Sequence, residues 1–254
     1  MLLALDVGNT NITAGAFQGP RLARQWRIET AEALGSRRLG ALLLRGAGRL
    51  AAKFKAVVYG SVVPALDRPL ERALGAALGL RPLGITPRTP LGIKLLVDSP
   101  KQVGADRLLN ALAAHRLVEG PAVVIDFGTA TTFDCVSGRG DYLGGAILPG
   151  PKMAARALAM GTAKLPEVAI RKPRRAIGKN TVECIEAGVY FGYLGMIEKL
   201  LELTLREMPG RRPRILATGG LARLFYKDLG PAVRLAPDLT LQGLRLAHET
   251  VRTR

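Results

Sequence analysis

Cysteine and histidine are scarce in this chain, with two of each in 254 residues. Cys135 and Cys184 stand far apart, no C-x-x-C spacing occurs, and His115 and His248 cannot complete a zinc constellation. Nothing therefore asks for an oxidising compartment. Long apolar runs are missing too. No stretch reaches the roughly 18 uninterrupted apolar residues of a membrane span, so no membrane partner is expected. The N-terminus lacks a basic leader and meets Asp6 after five residues, which excludes a signal peptide and makes the cytoplasm the expected location. Aromatics are few, six Phe, five Tyr and one Trp. They do not interleave with basic residues in the way single-strand nucleic-acid binders require. Acidic residues are also few, 20 against 37 Lys and Arg, leaving a formal charge of +17. Such a field draws anions. The cations are scattered, however, with one dense cluster at Arg171-Lys172-Pro173-Arg174-Arg175 and a smaller one at Arg211, Arg212 and Arg214. The first cluster reads as a solvated loop. The basicity reads as background that helps recruit an anionic substrate, and a nucleic-acid partner is not expected.

What the chain does have is an ordinary globular balance, 48% hydrophobic and 22% charged residues, in a length that suits one large domain or two average ones. The opening residues, MLLALDVGNTNIT, organise the rest. An apolar run (Leu2 to Leu5) reads as a buried strand that drives into Asp6. The turn that follows (Gly8, Asn9, Thr10, Asn11) is rich in hydroxyl and amide donors, and apolar alternation resumes at Ile12. Gly8 and Asn9 accept positive φ at low cost, which suits a hairpin. Two readings stand side by side: an ordinary hairpin with a polar tip, or a phosphate loop beside a carboxylate that holds a cation or water.

Further along, Ile12 to Phe17 and Leu22 to Ile28 read as a second and third strand. Thr30 is expected to N-cap a helix running to about Ala52. A strand over Ala56 to Tyr59, a helix from Pro64 to about Leu78 and a strand over Leu83 to Thr86 come next. A helix follows Gly104-Ala105-Asp106-Arg107 to about Val118. This is a three-strand meander followed by alternating helices and strands, an α/β layer pattern.

The pattern then repeats. Ala122-Val123-Val124-Ile125-Asp126-Phe127-Gly128-Thr129 echoes the opening; Asp126 lies 120 residues after Asp6, and Gly128 lies 120 after Gly8. Strands over Thr132 to Val136 and Tyr142 to Leu148 complete a second meander. Helices over Met153 to Met160 and Val182 to Arg206 follow, then a strand over Arg214 to Ala217 ending at Thr218-Gly219-Gly220. Helices over Leu221 to Leu229 and Leu239 to Val251 close the chain. Gly188, Gly192 and Gly195 share a face of the long helix and suit either a subunit interface or packing on the sheet. Two halves are expected, 1–118 and 119–254.

The Asp6–Thr13 segment, the Asp126 segment and Thr218-Gly219-Gly220 resemble the three nucleotide-site elements of the actin, sugar-kinase and chaperone-ATPase superfamily. Four further pieces narrow this: Ser61-Val62-Val63-Pro64, Gly104-Ala105-Asp106-Arg107, Gly144 to Gly150, and Gly178-Lys179-Asn180-Thr181. Together, and in this order over nearly the whole chain, they resemble the type III pantothenate kinase family. The resemblance implies duplicated actin-like (ribonuclease H-like) domains and ATP-dependent phosphorylation of pantothenate at its primary hydroxyl, the first step of coenzyme A synthesis.

Carried over residue by residue, the resemblance implies that Asp6, Val7, Gly8, Asn9, Thr10, Asn11, Ile12 and Thr13 form the first phosphate loop, in the first half. Thr129 would contact ATP from a second such loop, in the second half, where the glycine turn would lie on the adenosine side. Asp6 would also hold magnesium. Asp126 would coordinate a monovalent cation, potassium or ammonium. Gly104, Ala105, Asp106 and Arg107 would hold pantothenate with Asp106 as general base, and Thr181 would complete that pocket, from the other subunit of a homodimer. The residue types suit the chemistry. Phosphoryl transfer needs alignment and charge neutralisation, Asp106 can take the hydroxyl proton, and Arg107 can pair with a substrate carboxylate or lower the Asp106 pKa. Read without the family, Gly104 to Arg107 is a helix N-terminus with a capping aspartate, and Asp126 a strand-end carboxylate capping a turn.

One position departs from the family pattern. Val97 stands where many relatives carry Tyr, which alters one wall of the pantothenate pocket. Two other functions remain open: a non-enzymatic accessory transcription regulator of the same family, which a charge of +17 would suit, and another small-molecule kinase of the superfamily.

Overall fold

The computed structural model describes residues 1–35 and 38–253. They form two compact units, one of residues 1–116 with 239–254 and one of residues 117–238, the last residue, 254, lying outside the described set.

The first unit opens with the expected meander: β1 (Leu2–Val7), β2 (Asn11–Gln18) and β3 (Arg21–Glu29). Two short helices follow, α1 (Thr30–Gly35) and α2 (Leu39–Arg45), and a 3-10 segment over Gly48–Lys53. The single helix expected from Thr30 to Ala52 is thus several pieces; its residues 36 and 37 lie outside the described residues. One cause of the second break is visible. The Trp26 indole lies flat against Gly46, where a built Cβ would overlap the ring, and its Nε1 donates to the Leu43 carbonyl at 3.0 Å. β4 (Ala56–Ser61), α3 (Pro64–Leu78), β5 (Leu83–Ile85) and α4 (Ala105–Leu117) complete this part. Pro64 starts α3, where its missing N–H costs nothing, and Leu66, Leu70 and Leu74 recur on the buried face. Gly79, at φ +66°, ends it.

The second unit repeats the order with β6 (Ala122–Phe127), β7 (Ala130–Val136), β8 (Tyr142–Pro149), α5 (Pro151–Gly161), α6 (Thr181–Glu207), β9 (Arg214–Thr218), α7 (Ala222–Phe225) and β10 (Val233–Leu235). α7 is shorter than expected, continuing as hydrogen-bonded turns to Gly230. β10 was not anticipated: three residues are too few to show alternation.

The sheets have the same connectivity. One is ordered β3-β2-β1-β4-β5 and the other β8-β7-β6-β9-β10, each an antiparallel meander joined to two parallel strands. This is the duplicated actin-like architecture.

Alternation along β1 decides what each side faces. Leu3, Leu5 and Val7 pack with Ile12 and Ala14 beneath Leu39, Leu43, Leu66 and Leu70. Leu2 and Ala4 face the other way, onto Leu108, Leu109 and Leu112 of α4 and onto Leu241 and Leu244. Those last residues belong to α8 (Leu239–Arg252). The sequence reading counted α8 with the second half; in the structure it packs on the first sheet. Gly243 makes this possible by lying against the Leu109 carbonyl, where any Cβ would collide with main chain. Thr240 Oγ1 donates to Asn110 Oδ1 at 2.8 Å across the same crossing. Among the described residues no helix is long and apolar enough to cross a membrane.

Candidate active site

Asp6 shares its β1 face with Leu2 and Ala4, so its carboxyl emerges at the C-terminal end of β1 on the α4 side, opposite Thr13 in the β1–β2 ladder. Val7 and Ile12 are buried in the core and can offer only main chain at this end. Asn9 and Thr10 form the exposed tip. Neither Gly8 nor Asn9 has positive φ, so the reason for glycine differs from the one the sequence suggested. The Gly8 N–H donates to the Asn11 carbonyl at 3.0 Å, and a Cβ on Gly8 would lie 3.1 Å from that oxygen. Close approach selects glycine. The tip is fixed by Thr30, which is 2% exposed. Its Oγ1 donates to the Gly8 carbonyl at 2.7 Å and its N–H to the Thr10 carbonyl at 2.9 Å. Thr30, read from sequence as a helix cap, spends its hydroxyl on the hairpin.

Gly104 to Arg107 sit at the same end of the same sheet. Gly60, paired with Asp6 across β1–β4, lies beneath the first turns of α4: a built Cβ would be 2.7 Å from Leu109 Cδ1 and 3.4 Å from Ala105 Cβ. Val62, in the loop after β4, borders Gly104. The Gly104 carbonyl accepts from the Leu108 N–H at 3.1 Å and so begins the helix. Asp106 folds back so that Oδ1 lies against the Gly104 Cα, leaving no room for a Cβ there, and accepts the Arg107 N–H at 2.8 Å. Burial holds the Asp106 carboxyl above the usual carboxylate range, against the lowering pull of the Arg107 N–H and guanidinium. A half-buried carboxyl with a raised pKa at a strand end is a chemically useful group. Val97 is half-buried in the bend before the 3-10 turn Pro100–Gln102, which leads into Gly104.

In the second unit Asp126 pairs with Thr132 across β6–β7 and with Thr218 across β6–β9. Gly219, at φ +91°, brings the Thr218-Gly219-Gly220 turn onto this strand end. Its Cα lies against Asp126 Oδ1, and a Cβ would come 2.7 Å from the Phe127 carbonyl carbon. The Leu221 N–H donates to the Phe127 carbonyl at 3.2 Å. Thr129 is exposed at the tip; its carbonyl accepts the Gly150 N–H at 3.1 Å. Beneath the turn, Phe127 stacks on Phe225 with ring centroids 5.7 Å apart, and the Tyr193 hydroxyl shares a hydrogen bond with Thr131. Burial raises the Tyr193 phenol well beyond its ordinary value, the Asp126 charge adding to it and the Thr131 bond opposing it.

Thr181 is the exposed first residue of α6 and belongs to the second unit, whereas Gly104 to Arg107 belong to the first. Asn180 caps the helix, its Oδ1 accepting the Glu183 N–H at 2.9 Å. Glu183 answers by accepting the Lys179 N–H at 2.9 Å and Arg175 Nη2 at 3.0 Å, which holds its carboxyl below the usual range. Gly178 lies so close to this first turn that a Cβ would be 2.7 Å from the Glu183 carbonyl carbon. The preceding basic cluster, read from sequence as solvated, is strapped down. Arg171 pairs with the buried Glu186 at 2.7 Å, and Lys172 with Asp228 at 2.7 Å. Asp228 also accepts the Tyr190 hydroxyl.

The family profile of type III pantothenate kinase matches residues 2–203. The type III pantothenate kinase of Moorella thermoacetica is 43% identical over 98% of this chain and 99% of its own. That of Geobacter sulfurreducens is 41% identical over 98% of each. The chain belongs to the type III pantothenate kinase family.

Solved structures bear on the fold alone. A conserved putative Baf family transcriptional activator from Campylobacter jejuni superposes with a TM-score of 0.58 at 17% identity, covering 99% of this chain and 100% of that one. A putative N-acetylglucosamine kinase from Porphyromonas gingivalis gives 0.54 at 14% identity, covering 99% and 100%. For a type III pantothenate kinase, the donors at both strand ends are of the right kind. Asp6, with Thr13 opposite it in the ladder, and Asp126, with Thr132 and Thr218 beside it, are oxygen-bearing residues of the kind hard cations take. Among the described residues no three His, Cys, Asp or Glu side chains gather as a metal cluster. Sequence reasoning missed Thr30 and Glu183 as supports of these loops. The Asn180-x-x-Glu183 capping box was there to be read; the Thr30 contact with Gly8 was not.

Proposed function

We propose that this protein transfers the γ-phosphoryl group of ATP to the primary hydroxyl of pantothenate, in the cytoplasm, with Asp106 as general base. The observation that carries this reading is the Asp106 carboxyl, half-buried at the start of α4 and held above its ordinary pKa by burial. A carboxyl of this kind binds a proton more readily than a free aspartate. It would take the hydroxyl proton as the oxygen attacks phosphorus. Arg107 beside it would pair with the pantothenate carboxylate, and Thr181 would close the pocket. The β1–β2 turn, held by Thr30, would present main-chain N–H groups to ATP phosphates, and Thr129 would contact the same nucleotide. Magnesium held by Asp6 would, when bound, neutralise phosphate charge. Asp126, pressed against Gly219, would hold potassium or ammonium.

A homodimer fits the surface of α6. Beyond the backbone of their own helix, Gly188, Gly192 and Gly195 have no atom of the described residues within 4 Å of where a Cβ would stand. Val182, Phe191, Met196 and Leu203 are exposed on the same helix. A second copy would cover this face and bring its own Thr181 to the pocket.

The test is an ADP-release assay with pantothenate in potassium and in sodium buffers. Turnover should need both pantothenate and potassium or ammonium, and Asp106→Asn should abolish it while ATP binding persists. Near-wild-type turnover in that variant would remove the general base. Equal rates in sodium would remove the role of Asp126. The contrary result for the whole reading is a protein that never turns over pantothenate, as a pure regulator would behave.

A further inference from the structure

The second unit carries a polar cavity at the end of its sheet remote from Asp126. It occupies about 320 Å³ and is lined by Arg211, Arg212, Arg214 and Arg234, with Glu119 as the one carboxylate and Pro121, Pro213 and Pro231 among its walls. β6, β9 and β10 are parallel and all begin here, at Ala122, Arg214 and Val233. Asp126 and the Thr218-Gly219 turn lie at the opposite ends of these strands, about 13 Å along β6 at the usual rise per residue. The cavity is therefore separate from the proposed kinase chemistry.

Three features make it more than a patch of basic surface. First, its lining has four arginines, all exposed, against one glutamate, and among the described residues none of the four is in an ion pair. Second, the supporting backbone is stiff. Proline fixes φ in each of the three loops, Pro121 and Pro213 are buried, and the Pro121 carbonyl accepts the Arg214 N–H at 2.9 Å. Gly210 and Gly230, at φ +78° and +97°, turn the chain just before the arginines. Stiff loops reduce the ordering cost of binding. Third, planar guanidinium forks match phosphate oxygens two at a time, and the volume lies at the small end of ligand cavities.

We propose that this arginine cavity binds the di- or triphosphate group of a small molecule, as free oligophosphate or as the tail of a nucleotide. The size excludes a large ligand lying wholly inside; the charge excludes an apolar one.

The experiment is calorimetric titration of the full-length protein with inorganic tripolyphosphate in about 0.15 M salt, where diffuse surface fields decay within about 8 Å. The target variant is Arg212→Gln with Arg234→Gln. The control, Arg81→Gln with Arg88→Gln, removes the same charge from exposed positions in the other unit, and thermal unfolding shows that both fold. Wild type and control should bind one equivalent that the target variant binds at least about tenfold more weakly. Equal weakening in both variants, or no such equivalent in wild type, overturns the proposal. A parallel titration separates the sources: ADP competing for the same equivalent supports a nucleotide tail, and competition by pyrophosphate alone supports free oligophosphate. An oligonucleotide that binds more tightly than tripolyphosphate through the same arginines overturns the assignment in favour of a nucleic-acid surface.

Discussion

The two hairpins that begin the two units are fixed at their tips by different means. In the first, Gly8 to Thr10 bridge Val7 and Asn11, and the side chain and N–H of Thr30 tie the tip to the end of β3. In the second, Gly128 and Thr129 form a turn one residue tighter. The residue after β8, Gly150, holds it by an N–H bond to Thr129 and by packing its bare Cα against the tip, 2.7 Å separating a built Cβ from the Gly128 oxygen. Residues 30 and 150 are again 120 apart. Both turns choose glycine at the same place because a carbonyl crowds it, 3.1 Å from a built Cβ in each. A duplicated architecture thus conserves where the chain must come close, not which atoms hold it there. The duplication fails at the helices. α4 carries Asp106 as its second residue, where α8 carries Thr240, and both pack on the first sheet. Of these two helices only α4 carries a carboxyl in its first turn.

The largest expected effect tests that asymmetry. Asp106→Asn should lower kcat by roughly 10³-fold, within the range for loss of a general base, without destabilising the fold at neutral pH. The folded pKa of Asp106 is raised, so ionisation opposes folding. That cost is absent below the unfolded value near 3.8, sets in as pH rises from there to the folded value, and is complete above it. The variant should therefore match wild type in Tm near pH 3.5 and equal or exceed it at pH 7. A variant much less stable than wild type at neutral pH would make Asp106 a structural cap.

Next in size is Gly219→Ala, which meets both a left-handed backbone and the Asp126 carboxyl. About 2 kcal/mol of lost stability is expected, together with a higher potassium requirement. A drop in stability with an unchanged cation response would divorce the turn from Asp126. Gly150→Ala forces a Cβ into the second tip and should cost about 1–3 kcal/mol, with KM for ATP raised. A harmless alanine there would mean that close packing does not hold this turn, and the contrast between the hairpins would collapse. The smallest effect belongs to Thr30→Val, which keeps the N–H bond and loses only the hydroxyl bond. About 1 kcal/mol should be lost, read by urea unfolding. Equal losses from Thr30→Val and Gly150→Ala would make the two supports equivalent. Gly192→Glu should convert the proposed dimer to monomers by light scattering, and a persisting dimer would place the interface elsewhere.

Much of this was legible in advance. The apolar runs before Asp6 and Asp126, with the equal offsets between them, announced two meanders, and their strands lie where alternation placed them. Helices α3 and α6 follow from Pro64 and Leu periodicity and from the polar start at Asn180. What escaped the reading was short or non-local. The helix expected from Thr30 to Ala52 is interrupted because Trp26, twenty residues earlier than Gly46, lies across that glycine. β10 is too short to alternate. The straps from Arg171 and Lys172 need Glu186 and Asp228, which no local spacing brings near.

By itself the sequence determined the strand periodicity, the repeated carboxylate–glycine turns and the residue types at the proposed site, because these depend on neighbours a few positions away. Only the tertiary structure decided what each residue touches. It placed Asp106 above Gly60 on the sheet that ends in Asp6, put α8 on the first unit through Gly243, and raised the Asp106 pKa by burying a carboxyl that would otherwise be solvated. Burial and close approach belong to the folded chain, since they arise between segments whose separation in sequence carries no local signal.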